Sequence, residues 1–158
     1  MEGNLPYEFT VKKDHVLNMI KTNSFYRGER IKDENGAHAA RMQAGNDNND
    51  ILNDELSIAA SDVVAIITRN LGRCTLDETT VTDDGDFYIF KGVGATNFPL
   101  EVLKSSVENL IAVYMFDKAL EGWMLVNMPN EVQALGQRSL ADAEKLRQML
   151  VERSKPVR

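Results

Sequence analysis

The segment Leu110-Ile111-Ala112-Val113-Tyr114-Met115-Phe116 constrains the fold most, because it is apolar on nearly every side of a helix and not along one stripe. A helix with no face to offer water has to lie inside, surrounded by other elements. The residues on either side extend it. Pro99 fits the first helical position, and Leu100, Leu103, Val107, Leu110, Ile111, Tyr114 and Ala119 recur on a stripe that continues to Trp123. A membrane-spanning helix needs about 18 or more consecutive apolar residues, and no such run occurs in the chain.

Shorter patterns on either side predict what surrounds this central helix. Tyr7-Glu8-Phe9-Thr10-Val11 alternates like a short strand or an extended arm. Thr10 or Asp14 then caps a short helix carrying Val11, His15, Val16, Met19 and Ile20, which ends near Lys21. A stronger helix begins at Asp50, with Leu52, Leu56, Ala59, Ala60, Val63, Val64, Ile67 and Leu71 on one stripe and Gly72 as its stop. The period then changes: Thr79–Thr82 and Phe87–Phe90 flank Asp83-Asp84-Gly85-Asp86, which predicts a β-hairpin over residues 77–91. Gly92-Val93-Gly94-Ala95 reads as a flexible connector. After a turn at Met128-Pro129-Asn130, a last helix carries Val132, Leu135, Leu140, Ala143, Leu146, Leu150 and Val151. Gly136 weakens its start, and Ser139 with Asp142 can cap a late beginning.

The expected fold is therefore mainly α: an antiparallel bundle of three long helices plus a short N-terminal helix, with an inserted hairpin, in one domain over residues 1–158. Two segments stand apart from that core. Residues 33–50 are polar, with Met42 as the one large apolar side chain, and bury too little to offset their ordering entropy; they read as a long mobile insertion. Residues 154–158, Ser-Lys-Pro-Val-Arg, cannot continue a helix past Pro156 and read as a protruding tail.

The chemistry-bearing residues do not assemble into a known constellation. One cysteine, Cys74, allows no internal disulfide and reads as a buried or half-buried thiol in a reducing compartment. His15 lies on a short helix and His38 in the polar insertion, away from any nucleophile; an unfamiliar site pairing His15 with Asp14 is the only catalytic alternative. Asn46 to Asp50 lacks the register of a calcium loop, and Gly92 with Gly94 lacks the third glycine or the lysine of a phosphate loop. Asp77, Glu78, Asp83, Asp84 and Asp86 read as a solvated acidic hairpin tip and not as a magnesium site. Phe87, Tyr88 and Phe90 lack the interleaved cations of a base-stacking platform and read as core, as do Met115, Met124, Met128 and Met149. A net charge of -6 opposes nonspecific nucleic-acid binding. No enzyme activity, cofactor or metal is expected. The start of the chain is acidic and lacks a basic n-region and an apolar h-region, so action inside a cell is expected.

Phe98-Pro99-Leu100-Glu101-Val102-Leu103, leading to Ala112-Val113-Tyr114, and Ser139-Leu140-Ala141-Asp142-Ala143-Glu144-Lys145-Leu146 form a proline-started apolar helix and a helix with an Ala-x-x-x-Leu core. With the hairpin before them, residues 50–158 resemble the head-tail connector, or adaptor and head-completion, proteins of tailed phages. The first 49 residues lie outside this likeness, and the polar insertion is longer than in the family. The resemblance implies a structural subunit of the virion neck, assembled in the host cytoplasm. It implies a homo-oligomeric ring, usually a dodecamer, below the portal protein; the ring extends the DNA channel, through which DNA passes without specific binding, and docks the next neck or tail protein. No membrane is involved. Lys155, Pro156, Val157 and Arg158 would then dock on the portal or a neighbour, and Asp83, Asp84, Asp86 and Phe87 would face the channel or the adjacent subunit. An acidic channel lining fits DNA that must slide without sticking. The alternative is an intracellular protein-binding module or small regulator, whose helical face recognises a partner and whose insertion orders on contact.

Overall fold

Helix α3 (Leu100–Asn127) follows directly on Pro99, and its middle is closed off from water as its composition requires. Val107, Ile111, Ala112, Met115, Phe116, Ala119, Leu120, Trp123 and Met124 are all buried. The helix touches α1 (Lys13–Arg30), α2 (Asn49–Asn70), α4 (Val132–Leu150) and β1 (Leu5–Lys12), which makes it the central element. The structure, a computed structural model, describes residues 5–30, 49–81, 85–127 and 132–153. Most of these are helical, in four helices, and the rest of the regular structure is β1, β2 (Cys74–Val81) and β3 (Gly85–Gly94).

The three strands form one antiparallel sheet in the order β1-β3-β2. Phe9 lies opposite Phe90, and Phe90 opposite Leu76, so alternate residues of all three strands share a face. Tyr7, Phe9, Val11, Cys74, Tyr88 and Phe90 are buried on that face and join the helices in one hydrophobic cluster. Glu8, Lys12, Thr75, Lys91 and Val93 on the other face are exposed. Helix α2 buries Leu52, Leu56, Ala59, Ala60, Val63, Ile67 and Leu71, the stripe that its sequence pattern predicts.

Several expectations are corrected. The N-terminal segment takes the strand form of its two expected alternatives, and because it pairs along its whole length with β3, the hairpin is not a separate insertion but part of a three-stranded sheet. Thr10 belongs to β1 and does not cap α1, which runs to Arg30 instead of ending near Lys21. Asp14 lies in the first turn of α1, where a carboxylate suits the helix dipole. Asn49 and Asp50 belong to α2; residues 33–48 of the expected insertion lie outside the described residues. Gly92-Val93-Gly94 continues β3 and is no flexible connector. Helix α4 has no late start at Ser139; it is continuous from Val132 and turned so that Leu135, Ser139, Asp142, Leu146 and Leu150 face inward. Leu140, expected in the core, is 73% exposed.

Candidate functional site

The tightest place in the molecule lies where β3 passes the end of α2. A Cβ on Gly92 would stand 2.0 Å from the Arg73 carbonyl oxygen and 2.7 Å from the Tyr7 hydroxyl, and one on Gly72 would stand 2.3 Å from the Val93 oxygen. Only glycine permits these backbone approaches. The buried Tyr7 hydroxyl lies 3.0 Å from both the Gly72 and the Arg73 carbonyl oxygens and shares its one proton between them. Burial, ahead of the neighbouring Cys74, pushes the Tyr7 phenol far above its ordinary ionisation range. Burial also pushes the Cys74 thiol up, so this cysteine is poorly disposed to react. These groups close the core where β3 meets the end of α2.

A second polar region runs between α3 and α4. Arg138 Nη2 lies 2.7 Å from Oδ1 of Asp117, a carboxylate only 2% exposed. The Ser139 hydroxyl, also buried, lies 2.9 Å from Glu121 Oε2 and 3.0 Å from the Gly136 carbonyl oxygen. Lys118 Nζ is 3.8 Å from the same Glu121 oxygen. Nearby, the Tyr114 hydroxyl donates to Asp62 at 3.3 Å, and burial followed by the Asp62 charge pushes that phenol up. Each carboxylate here has a structural partner, and none is paired with a histidine or a cysteine among the described residues. Among the described residues no group of three His, Cys, Asp or Glu side chains is placed to hold a metal ion.

The described residues form open grooves at the surface. One, of about 430 Å³, is formed by Pro99, Leu103 and Leu110 of the N-terminal half of α3 with Met149 near the end of α4. A second, of about 550 Å³, lies at the end of α2 beside Arg69, Arg73 and Arg153. Large apolar side chains stand out on the helices: Val102 is 77% exposed in the first turn of α3 and Leu125 61% exposed in its last. The two sheet edges are treated differently. At the outer edge of β1 the Thr10 amide donates to Glu108 Oε2 of α3 at 2.7 Å. At β2 only the first residue is tied, its Cys74 amide donating to Thr68 Oγ1 at 3.2 Å, and no strand pairs with its outer side among the described residues.

No protein-family model, curated protein or solved structure matches the chain. The function therefore has to be argued from these surfaces.

Of the site residues expected from the sequence, Asp83 and Asp84 lie outside the described residues, between the ends of β2 and β3. Asp86 and Phe87 open β3, Asp86 opposite Thr80 and Phe87 opposite both Lys12 and Thr79. Phe87 is half-buried, whereas Tyr88 and Phe90 are in the core. Lys155, Pro156, Val157 and Arg158 lie outside the described residues, as does His38; His15 and Asp14 are exposed on α1. The arginine groove was missed in the sequence. Its residues come from positions 69, 73 and 153, and no local pattern joins them. The one available signal was Arg69 in the last turn of a strong helix, an ordinary dipole partner.

Proposed function

We propose that the chain is a structural subunit of a tailed-phage neck: a ring between portal and tail that extends the DNA channel and docks the next neck protein. In this reading the four helices form an antiparallel bundle and the sheet is carried on one side of it. One observation carries the proposal. Val102 and Leu125 stand exposed at opposite ends of the central helix, about 35 Å apart at 1.5 Å per residue. Single exposed apolar side chains are ordinary on a protein surface; what supports the reading is their placement, one at each end of the same rigid helix. A subunit between two layers needs one such surface at each end. The polar groups support the same reading, because the buried ones are used to hold the fold together.

The test is co-expression with a portal protein, followed by purification and electron microscopy. A dodecameric layer attached to the portal is expected. Val102→Asp and Leu125→Asp should each abolish docking on one side and leave the other intact. A chain that never joins portal or capsid overturns the proposal. The outer side of β2, where no strand pairs among the described residues, favours a second reading, a binding module that captures an extended partner segment by strand addition. Recovery of a host regulator in place of virion proteins would favour it.

A further inference from the structure

The groove at the end of α2 gathers positive charge in a chain whose acidic residues outnumber its basic ones, 24 to 18. Arg69, Arg73 and Arg153 line it, and among the described residues no carboxylate does. Arg153 is fixed there. Its guanidinium donates to the carbonyl oxygens of Leu150 at 2.8 Å, Glu152 at 2.7 Å and Asn70 at 3.0 Å, and lies over the Phe98 ring at 6.0 Å. The bond to Asn70 anchors this charge to the last residue of α2. Arg69 and Arg73 flank that residue in the chain and are exposed, and neither side chain makes an ion pair or hydrogen bond among the described residues.

Carbonyl groups that end a helix ordinarily attract such cations. Here they are largely taken. Ile67 accepts from Leu71 and Gly72, Asn70 from Arg153, and Leu71 from Ala95, while Gly72 and Arg73 accept from Tyr7. Arg69 and Arg73 thus keep their donors for a ligand, and the backbone around them has few acceptors left to offer one.

We propose that this groove is a binding site for a chain of phosphate groups. A guanidinium fork matches two oxygens of one phosphate and stays charged at any physiological pH. A phosphate chain brings acceptors only, which is what this groove lacks. A peptide with acidic side chains would also bring backbone amides in need of acceptors, and the carbonyl groups here are occupied. The groove is open and measures about 550 Å³, far more than one ion fills. Its lining includes no aromatic side chain for bases to stack on, so it responds to charge and not to sequence. The net charge of -6 opposes diffuse contact with a polyanion, so binding has to come from a local site such as this one. Chains of phosphate occur in a nucleic-acid backbone and in free polyphosphate. The site is independent of the neck reading.

Anisotropy of a labelled DNA duplex, and calorimetry with tripolyphosphate, test this on the full-length protein at low salt. Binding of at least one probe is expected. Arg69→Gln with Arg73→Gln should weaken it by about tenfold or more, and should reduce the steepness of log affinity against log salt for the duplex by about 2. Circular dichroism checks that the variant is folded. Arg69→Lys with Arg73→Lys should restore the salt dependence and only part of the affinity, because the charge returns without the fork. Lys104→Gln, which removes a cation from a separate groove, should leave binding unchanged. A duplex held far more tightly than tripolyphosphate assigns the site to nucleic acid, and the reverse order assigns it to free phosphate chains. Failure of both probes to bind, an Arg69→Gln, Arg73→Gln variant that binds like the wild type, or an equal loss in Lys104→Gln would overturn the proposal. So would polyglutamate held through the same two arginines as tightly as the phosphate probes, since the groove would then take carboxylates.

Discussion

The junction of β3 with the end of α2 and the seam between α3 and α4 both hold buried polar groups, yet they are built in opposite ways. At the junction, backbone meets backbone: Gly72 and Gly92 let carbonyl groups approach where no Cβ fits, and Tyr7 ties two of them together. In the seam, side chains meet side chains, Arg138 with Asp117 and Ser139 with Glu121. Backbone contacts have no slack, since moving one atom moves the strand. Side-chain contacts can rotate, lengthen or admit water. The junction is the rigid part of the molecule and the seam the adjustable one.

The sharpest way to break this contrast is Gly92→Ala. Its new methyl would overlap the Arg73 carbonyl, and overpacking against backbone should cost about 3 kcal/mol of unfolding free energy, read from denaturant midpoints. Arg138→Ala comes next. It removes the guanidinium from the buried Asp117 carboxylate, but Arg138 is 45% exposed, so water tempers the loss to about 2 kcal/mol; Arg138→Lys should recover part of it. Gly136→Ala, in the seam, should have the opposite sign to Gly92→Ala. The added methyl lies 3.4 Å from Glu121 Oε1, an ordinary contact, and helix propensity should raise stability by up to about 1 kcal/mol. A loss as large as that of Gly92→Ala would erase the distinction.

The smallest effect concerns Glu55, whose carboxylate packs against Gly122 beside the seam. Burial holds its pKa above the ordinary glutamate value, opposed by Lys118 and reinforced by Asp54 and Glu121. The folded state therefore binds the proton more tightly than the unfolded chain does. Ionised Glu55 costs stability once the pH exceeds the raised value, and the cost vanishes as pH falls below the unfolded value. Glu55→Gln should stabilise the protein at neutral pH, with a gain that fades by about pH 4. Thermal melts across that range measure it, and a gain that grows toward acid would contradict the assignment.

The sequence discloses whatever depends on local periodicity. The α2 stripe, the buried middle of α3 and the pairing of β2 with β3 all follow from residues within one element or one turn. It hides what depends on distant partners. Nothing near Tyr7-Glu8-Phe9 says that residues 85–94 will pair with them. Helix α4 looks as if Leu140 should face inward; instead the face that buries Leu135, Leu146 and Leu150 carries Ser139 inward with it, where Glu121, on another helix, accepts from its hydroxyl. Gly92 and Gly94 look loose in sequence and are the least replaceable residues of the strand, since what forbids a side chain comes from Arg73, Tyr7 and Leu71. The arginine groove is hidden for the same reason. Where the apolar side chains stand out was not visible either.

The register of β1 also sets a timetable. Phe9 pairs with Phe90 and Lys12 with Phe87, so on a ribosome adding roughly 5–20 residues per second the first strand waits several seconds for its partner. During that interval Tyr7, Phe9 and Val11 have no sheet to enter, while Glu108, which later seals the edge through Thr10, is not yet made. Nascent chains of this protein thus carry an unpaired, aromatic strand through most of their synthesis, and a chaperone that shelters such strands would raise its yield more than one acting on the finished chain.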